Sequence, residues 1–155
     1  MKKWLWFLAA FLVVAMVGTK PSAGKDVAEL QPVQVVCLGK SGDNIAVWTD
    51  TGDWGMGLTL DAAVEDMKMA AAGEVFLETA DYLLLMEDCL LLLEDVAAYL
   101  RPSCSLCFMQ GEPDLNRIGQ FLRTHVPEIT LMEYNAGIRK LQTLKTEKGR
   151  MYLVS

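Results

Sequence analysis

Residues 82–86, Tyr-Leu-Leu-Leu-Met, form an unbroken apolar run with acidic residues directly before and after it. The run is too short for a typical helix, and a strand with one face in water would alternate apolar and polar side chains. A continuous run therefore predicts a strand that is buried on both faces of its sheet. Such a sheet needs packed elements above and below it, so this segment already favours an α/β domain.

Strand-like and helix-like patterns alternate around this run, mainly between residues 45 and 125. Short apolar runs bounded by turn residues predict further strands at 33–38, 45–49, 75–77 and 103–109. Apolar residues at helical spacing, with capping and breaking residues at the ends, predict helices at about 59–73, 87–101 and 113–126. We therefore expect a single α/β domain with a mixed sheet and about three helices.

Two further features complete the predicted sheet. The first two strands should form a hairpin with a long turn at 39–44, because this stretch is rich in Gly, Ser, Asp and Asn. After the third helix, helical spacing is lost. The segments 129–133, 141–144 and 151–154 are predicted to be extended and to form an antiparallel edge of the sheet.

The N-terminus resembles a targeting segment. Lys2 and Lys3 precede an uncharged apolar run at 4–17, a pattern typical of an export signal. As a helix this run would be about 21 Å long, shorter than a hydrocarbon core of about 30 Å. A cleaved signal peptide and a retained membrane anchor helix both remain open. With either one, the rest of the chain is extracytoplasmic, secreted or tethered to the membrane through residues 4–17.

These boundaries divide the chain into a signal peptide or membrane anchor (1–23), a polar linker (24–32) and the α/β domain (33–155). Residues 24–155 carry 11 basic and 20 acidic side chains, a net charge of −9. Nucleic acids and anionic lipid surfaces recruit clustered Lys and Arg, so this balance argues against a nucleic-acid partner. The acids are concentrated at 43–114, whereas 115–155 is basic. This polarity indicates either internal contacts and solvated faces or a pole that docks a partner of opposite charge.

Cys104 and Cys107 form a Cys-x-x-Cys pair, which outside the cytoplasm could cycle between dithiol and disulfide. A redox pair needs its first cysteine at a helix N-terminus, where the dipole lowers the thiol pKa. This pair lies in a predicted strand instead, where residues three apart point to opposite faces. Buried strand cysteines are therefore favoured over a thiol–disulfide pair. A disulfide from Cys37 or Cys89 to one of the pair is also open, since sequence cannot choose among pairings.

The segment Gly52-Asp-Trp-Gly-Met-Gly57 is predicted to be a turn between a strand and a helix. It lacks the Lys-Ser/Thr end of a phosphate loop, and its neighbouring carboxylates would repel phosphate. The exposed aromatic of such a turn can instead contact a ligand or a partner, so Trp54, Asp53 and Gly55 are the candidate contact residues. One histidine, His125, supplies no catalytic set. We predict no metal site and no cofactor.

The order of these elements resembles the N-terminal domain of the spore-germination receptor C-subunit family, Ger(x)C. The resemblance covers about 45–125 and rests on a Gly-rich turn before a Thr-capped helix (51–63), an apolar segment at 75–77, and an apolar strand leading into two acids (82–88). It implies an exported, membrane-tethered protein that acts with integral membrane partners in nutrient-triggered spore germination. It also implies that the chain is not an enzyme.

The leading prediction is an exported, membrane-associated, non-catalytic accessory domain that binds a membrane or envelope protein. Two alternatives come from other classes. The first is a thiol–disulfide oxidoreductase that uses Cys104 and Cys107. The second is a small-ligand-binding module at the loop 52–57, which requires a concave pocket there.

Overall fold

The computed structural model describes residues 30–111 and 113–155, which form one α/β domain. The predicted signal or anchor lies outside the described residues, as does most of the predicted linker. The strands are β1 (Leu30–Pro32), β2 (Val35–Ser41), β3 (Asn44–Thr49), β4 (Trp54–Gly57), β5 (Glu74–Phe76), β6 (Tyr82–Leu85), β7 (Ser105–Gln110), β8 (Ile129–Thr130), β9 (Gln142–Glu147) and β10 (Arg150–Val154). The helices are α1 (Leu60–Ala70), α2 (Leu93–Val96), α3 (Leu115–Leu122) and α4 (Leu131–Asn135), with 3-10 helices at Leu77–Thr79 and Glu87–Leu92.

The main sheet is mixed, as predicted, with the strand order β10-β9-β7-β6-β2-β3-β4. Its four central strands, β9, β7, β6 and β2, are parallel. Antiparallel pairs add β3 and β4 at one edge and β10 at the other. The short strand β8 pairs with the beginning of β7, and β1 pairs with β5 in a separate two-stranded sheet. The predicted antiparallel edge is therefore formed by β9 and β10.

Helices cover the two faces of the sheet unequally. On the first face, buried side chains of α1, α2 and α4 pack on alternate residues of the central strands, including Leu83 and Leu85. On the second face, α3 is the one described helix that packs on the other set, which includes Cys37 and Leu84. We call this second face the α3 face. All four residues of β6 are buried, which confirms the two-sided burial predicted from residues 82–86.

Besides the Gly-rich segment 52–57, which is described below, three local predictions differ from the structure. The β2–β3 turn contains only Gly42 and Asp43 between paired residues, because Gly42 adopts a positive φ of 63° that suits a two-residue hairpin. The predicted helix at 87–101 is a 3-10 helix followed by the one-turn α2. Its start has no side-chain cap, and Arg101 pairs with the Asp81 carboxylate and the Ala80 carbonyl instead of stabilising a helix end.

The third difference lies at 129–133, where an extended segment was predicted. Only Ile129 and Thr130 are extended, and α4 begins directly after them. Thr130 and Glu133 form a capping box, in which each side chain bonds the other residue's backbone N–H. The Thr-x-x-Glu spacing of residues 130–133 indicates a helix start, but the β-branched Ile129 and Thr130 favoured the prediction of an extended segment.

Candidate functional site

The glycines of the predicted turn belong to strand β4 and serve packing. A Cβ built on Gly55 would lie 2.3 Å from the Ala63 carbonyl oxygen and 2.3 Å from the Met67 nitrogen. A Cβ on Gly57 would lie 2.6 Å from both Ala62 Cβ and the Ala63 nitrogen. The backbones of β4 and α1 are therefore in direct contact. Gly55 faces α1, and the structure gives this predicted contact residue no access to a ligand.

The other side of β4 carries exposed apolar side chains. Trp54 is 52% exposed and Met56 is 37% exposed. Trp54 pairs directly with Trp48 of β3, which in turn pairs with Cys37. Directly opposed residues of antiparallel strands share a face, so the two tryptophans lie on the α3 face.

Met86 extends this apolar surface. A Cβ on Gly39 would lie 2.6 Å from Met86 Sδ and 2.8 Å from Trp48 Cζ3, so both side chains lie over a position without a side chain. Trp48 and Met86 are half-buried. We call Trp48, Trp54, Met56 and Met86 the tryptophan strip. It occupies the part of the α3 face that α3 leaves uncovered.

A concave site lies between the tryptophan strip and α3. It is a pocket of about 240 Å³ lined by Trp48, Asp50 and Asp53 on the hairpin side and by Pro113, Asp114 and Asn116 at the start of α3. We call it the α3 groove. Its volume is below the usual range of about 300 to 1,000 Å³ for small-molecule sites. Among the described residues, no lysine or arginine lines it.

Three carboxylates of the groove are held by the fold. Oδ1 of Asp50 accepts hydrogen bonds from the Gln34 and Val35 nitrogens at 3.0 and 3.1 Å. Oδ2 of Asp53 accepts one from the Thr51 hydroxyl at 2.7 Å, and Oδ1 of Asp114 caps α3. A carboxylate has two accepting oxygens, so each keeps one for a further donor. The groove is thus acidic with free acceptor capacity.

The outer edge of β4 is partly closed. The Met56 nitrogen donates to Oδ2 of Asp66, a residue of α1, at 2.9 Å. This bond occupies a backbone donor that an added strand would need. The exposed face of β4 is therefore more accessible to a partner than its edge.

The four cysteines lie in the two cores on either side of the sheet. Cys37, Cys89, Cys104 and Cys107 are free and buried. Cys104 lies in the core of the first face and Cys107 in that of the α3 face, so their side chains are separated by the sheet. Burial raises the pKa of the Cys37, Cys104 and Cys107 thiols to about 12, which keeps them protonated. The buried-cysteine alternative agrees with this geometry, and none of the proposed disulfides is present.

A second surface pocket, between α1 and α2, is lined by Asp61, Glu94 and Asp95 among other residues. The Tyr99 hydroxyl donates to Asp61, and this hydrogen bond raises the Tyr99 pKa to about 12. Among the described residues, no aromatic residue lines this pocket.

Among the residues that the structure describes, no three His, Cys, Asp or Glu side chains form a metal-binding group. His125 stacks on Phe121, with ring centroids 4.3 Å apart.

Of the predicted contact residues, the structure brings Asp53 to the groove and places Trp54 beside it. Sequence reasoning missed Asp114, which is distant in sequence from the other groove residues and has the local pattern of a helix cap.

No protein-family model, curated protein or solved structure matches the chain. Within residues 30–111 and 113–155, no helix is both long and apolar enough to cross a bilayer.

Proposed function

We propose that this chain is an exported, membrane-associated, non-catalytic domain that binds a membrane or envelope protein. The observation that carries the proposal is the tryptophan strip, since exposed Trp and Met side chains beside a groove are typical of interaction surfaces. The apolar run at 4–17 supports export and membrane association, as a signal peptide or as an anchor helix. The resemblance to the Ger(x)C N-terminal domain supports a role as an accessory part of a spore germinant receptor.

The non-catalytic part of the proposal is supported by what the groove holds. Its ionisable groups are carboxylates engaged with backbone or hydroxyl donors. The groups with strongly raised pKa values are thiols in the core and Tyr99 at a different surface. Perturbed groups that converge in one cleft are the usual sign of a catalytic site. Here they are dispersed.

Co-purification from native membranes tests the proposal. Full-length protein with a C-terminal affinity tag should be recovered in the membrane or envelope fraction and should bring down a specific membrane protein. Recovery in the cytoplasm, or turnover on a hydrolase or thiol-oxidase panel, would contradict it. A Cys107→Ala variant is a matched control, because an oxidoreductase would lose activity whereas an interaction domain would keep its partner.

A small-ligand-binding module is the second candidate, and the concave α3 groove is the observation that favours it. Its carboxylates and Trp48 would suit a small organic cation. Saturable binding of a free amine or guanidine compound at micromolar concentration, with displacement of the protein partner, would favour the small-ligand-binding function. The oxidoreductase alternative gains no support from the separated, buried thiols.

A further inference from the structure

Among the described residues, the α3 face carries fewer helices than the first face. Of the α-helices that the structure describes, three pack on the first face and the eight-residue α3 packs on this one. The parallel strands β2, β6 and β7 are buried on both faces, whereas β3 and β4, which carry most of the tryptophan strip, are antiparallel and can keep one face exposed. The exposed Trp54 and Met56 of the tryptophan strip therefore form an apolar surface next to α3 that a partner can cover.

The charge of this surface restricts what can cover it. Asp50, Asp53 and Asp114 line the groove, each with a carboxylate oxygen left to accept a hydrogen bond. In the described part of the chain, no basic side chain lines the groove beside them. Trp48 lines the same pocket, and a tryptophan ring attracts cations. The complementary occupant therefore presents apolar side chains to the strip and a Lys or Arg to the groove.

The edge of β4 restricts how the occupant binds. Asp66 already accepts from the Met56 nitrogen, so strand addition at this edge would have to break that bond. A helix laid on the sheet face needs no backbone donor from β4. Helix-in-groove binding uses apolar residues at helical spacing as anchors, which matches a strip that extends across β3 and β4.

We propose that the tryptophan strip and the α3 groove bind a basic amphipathic helix of a partner protein, laid beside α3 on the sheet. This inference rests on the proposed function and names the partner's chemistry. Trp54 is its apolar anchor, and Asp53 and Asp114 receive the partner's cation. An anionic membrane is a poorer occupant because these carboxylates repel phosphate headgroups.

A model peptide tests the site directly. The probe is a fluorescent 14-residue Leu/Lys amphipathic helix, titrated against the full-length chain in a mild non-ionic detergent, with binding to empty micelles subtracted. Micromolar binding is expected. Trp54→Ala should weaken it at least tenfold, or about 1.4 kcal/mol, as expected for an anchor tryptophan. Failure of the wild-type protein to bind, or unchanged binding by Trp54→Ala, would overturn the proposal.

Matched charge variants separate a specific site from general acidity. Asp53→Asn with Asp114→Asn removes two charges from the groove and retains a side chain that can cap α3. Glu94→Gln with Asp95→Asn removes two charges at the pocket between α1 and α2. The first pair should weaken binding at least tenfold and the second less than twofold. Equal losses would mean non-specific attraction and would refute the site.

Two further outcomes distinguish the alternatives. Trp54-dependent binding to phosphatidylglycerol vesicles, without binding to the peptide, would overturn the proposal in favour of a membrane surface. In native membranes, loss of the co-purified protein from Trp54→Ala supports the site. Retention of that protein by Trp54→Ala refutes the site but leaves the proposed function standing. Absence of a partner from the wild-type protein as well refutes the function itself.

Discussion

Gly55 is the position where a single methyl group should most disturb this fold. Its added Cβ would lie 2.3 Å from the Ala63 carbonyl oxygen and 2.3 Å from the Met67 nitrogen, whereas ordinary contact begins at 3.4 Å. Both neighbours are backbone atoms of α1, so no side-chain rotation can relieve the overlap. The helix must move away from β4 by about 1 Å, which loosens Leu60, Ala63, Val64 and Met67 in the core.

Overpacking of a core costs about 1 to 3 kcal/mol, and more where the neighbours cannot yield. We expect Gly55→Ala to lower the free energy of unfolding by about 3 kcal/mol, a large part of the 5 to 15 kcal/mol typical of a domain. The Tm should fall by about 10 °C. Urea unfolding followed by circular dichroism measures the first quantity and calorimetry the second.

Gly119→Ala is the matched control. Its Cβ would lie 3.1 Å from Val35 Cγ2, a side-chain atom that can adjust, and alanine is favoured over glycine inside a helix by about 1 kcal/mol. This variant should stay within about 1 kcal/mol of the wild-type protein. If Gly55→Ala is as stable as Gly119→Ala, the close contact between β4 and α1 does not exist. The segment would then be the free turn that the sequence suggested.

Three thiols should make the fold sensitive to alkali. The pKa of Cys37, Cys104 and Cys107 is about 12 when folded and 9.0 in the reference state, so the folded chain holds more protons between these values. The free energy of unfolding should fall above pH 9 by about 1.4 kcal/mol per pH unit for each thiol, as urea titrations under reductant would measure. A flat profile would contradict this burial. A thiol reagent should react with the cysteines only as the chain unfolds. Thr130→Ala should cost about 1 kcal/mol through loss of the α4 capping box. Hydrogen bonds from Thr130 lower the Glu133 pKa, so the part of the cap that the Glu133 carboxylate supplies should weaken as pH falls through the folded value and persist above the unfolded one. An unchanged urea midpoint in Thr130→Ala would exclude the cap.

Much of the architecture follows from local sequence pattern. Continuous apolar residues at 82–86 predicted a two-sided central strand, and the Thr59 cap with apolar spacing after it predicted α1. These predictions succeeded because strand burial and helix capping depend on residues a few positions apart. The predicted separation of Cys104 and Cys107 onto opposite faces succeeded for the same reason, since alternation along a strand is local.

Predictions failed where local signals conflicted or where distant residues decided the outcome. Gly55 and Gly57 carry turn propensity, yet they form strand β4 because α1 requires a surface without side chains. Arg101 is a residue type that favours a helix C-terminus, but it forms an ion pair with Asp81 instead, and α2 has only one turn. In each case a tertiary contact outweighed a propensity of about 1 kcal/mol or less.

The sequence by itself determined the α/β class, the mixed sheet with its antiparallel edge, and the acidic character of the domain. Only the tertiary structure decided that Trp48 and Trp54 share the face that α3 leaves open, and that Asp53 and Asp114 meet across one groove. The reason is physical. Periodicity shows which residues of a strand lie on the same side. Strand order, register and helix placement decide which residues of other elements share that side.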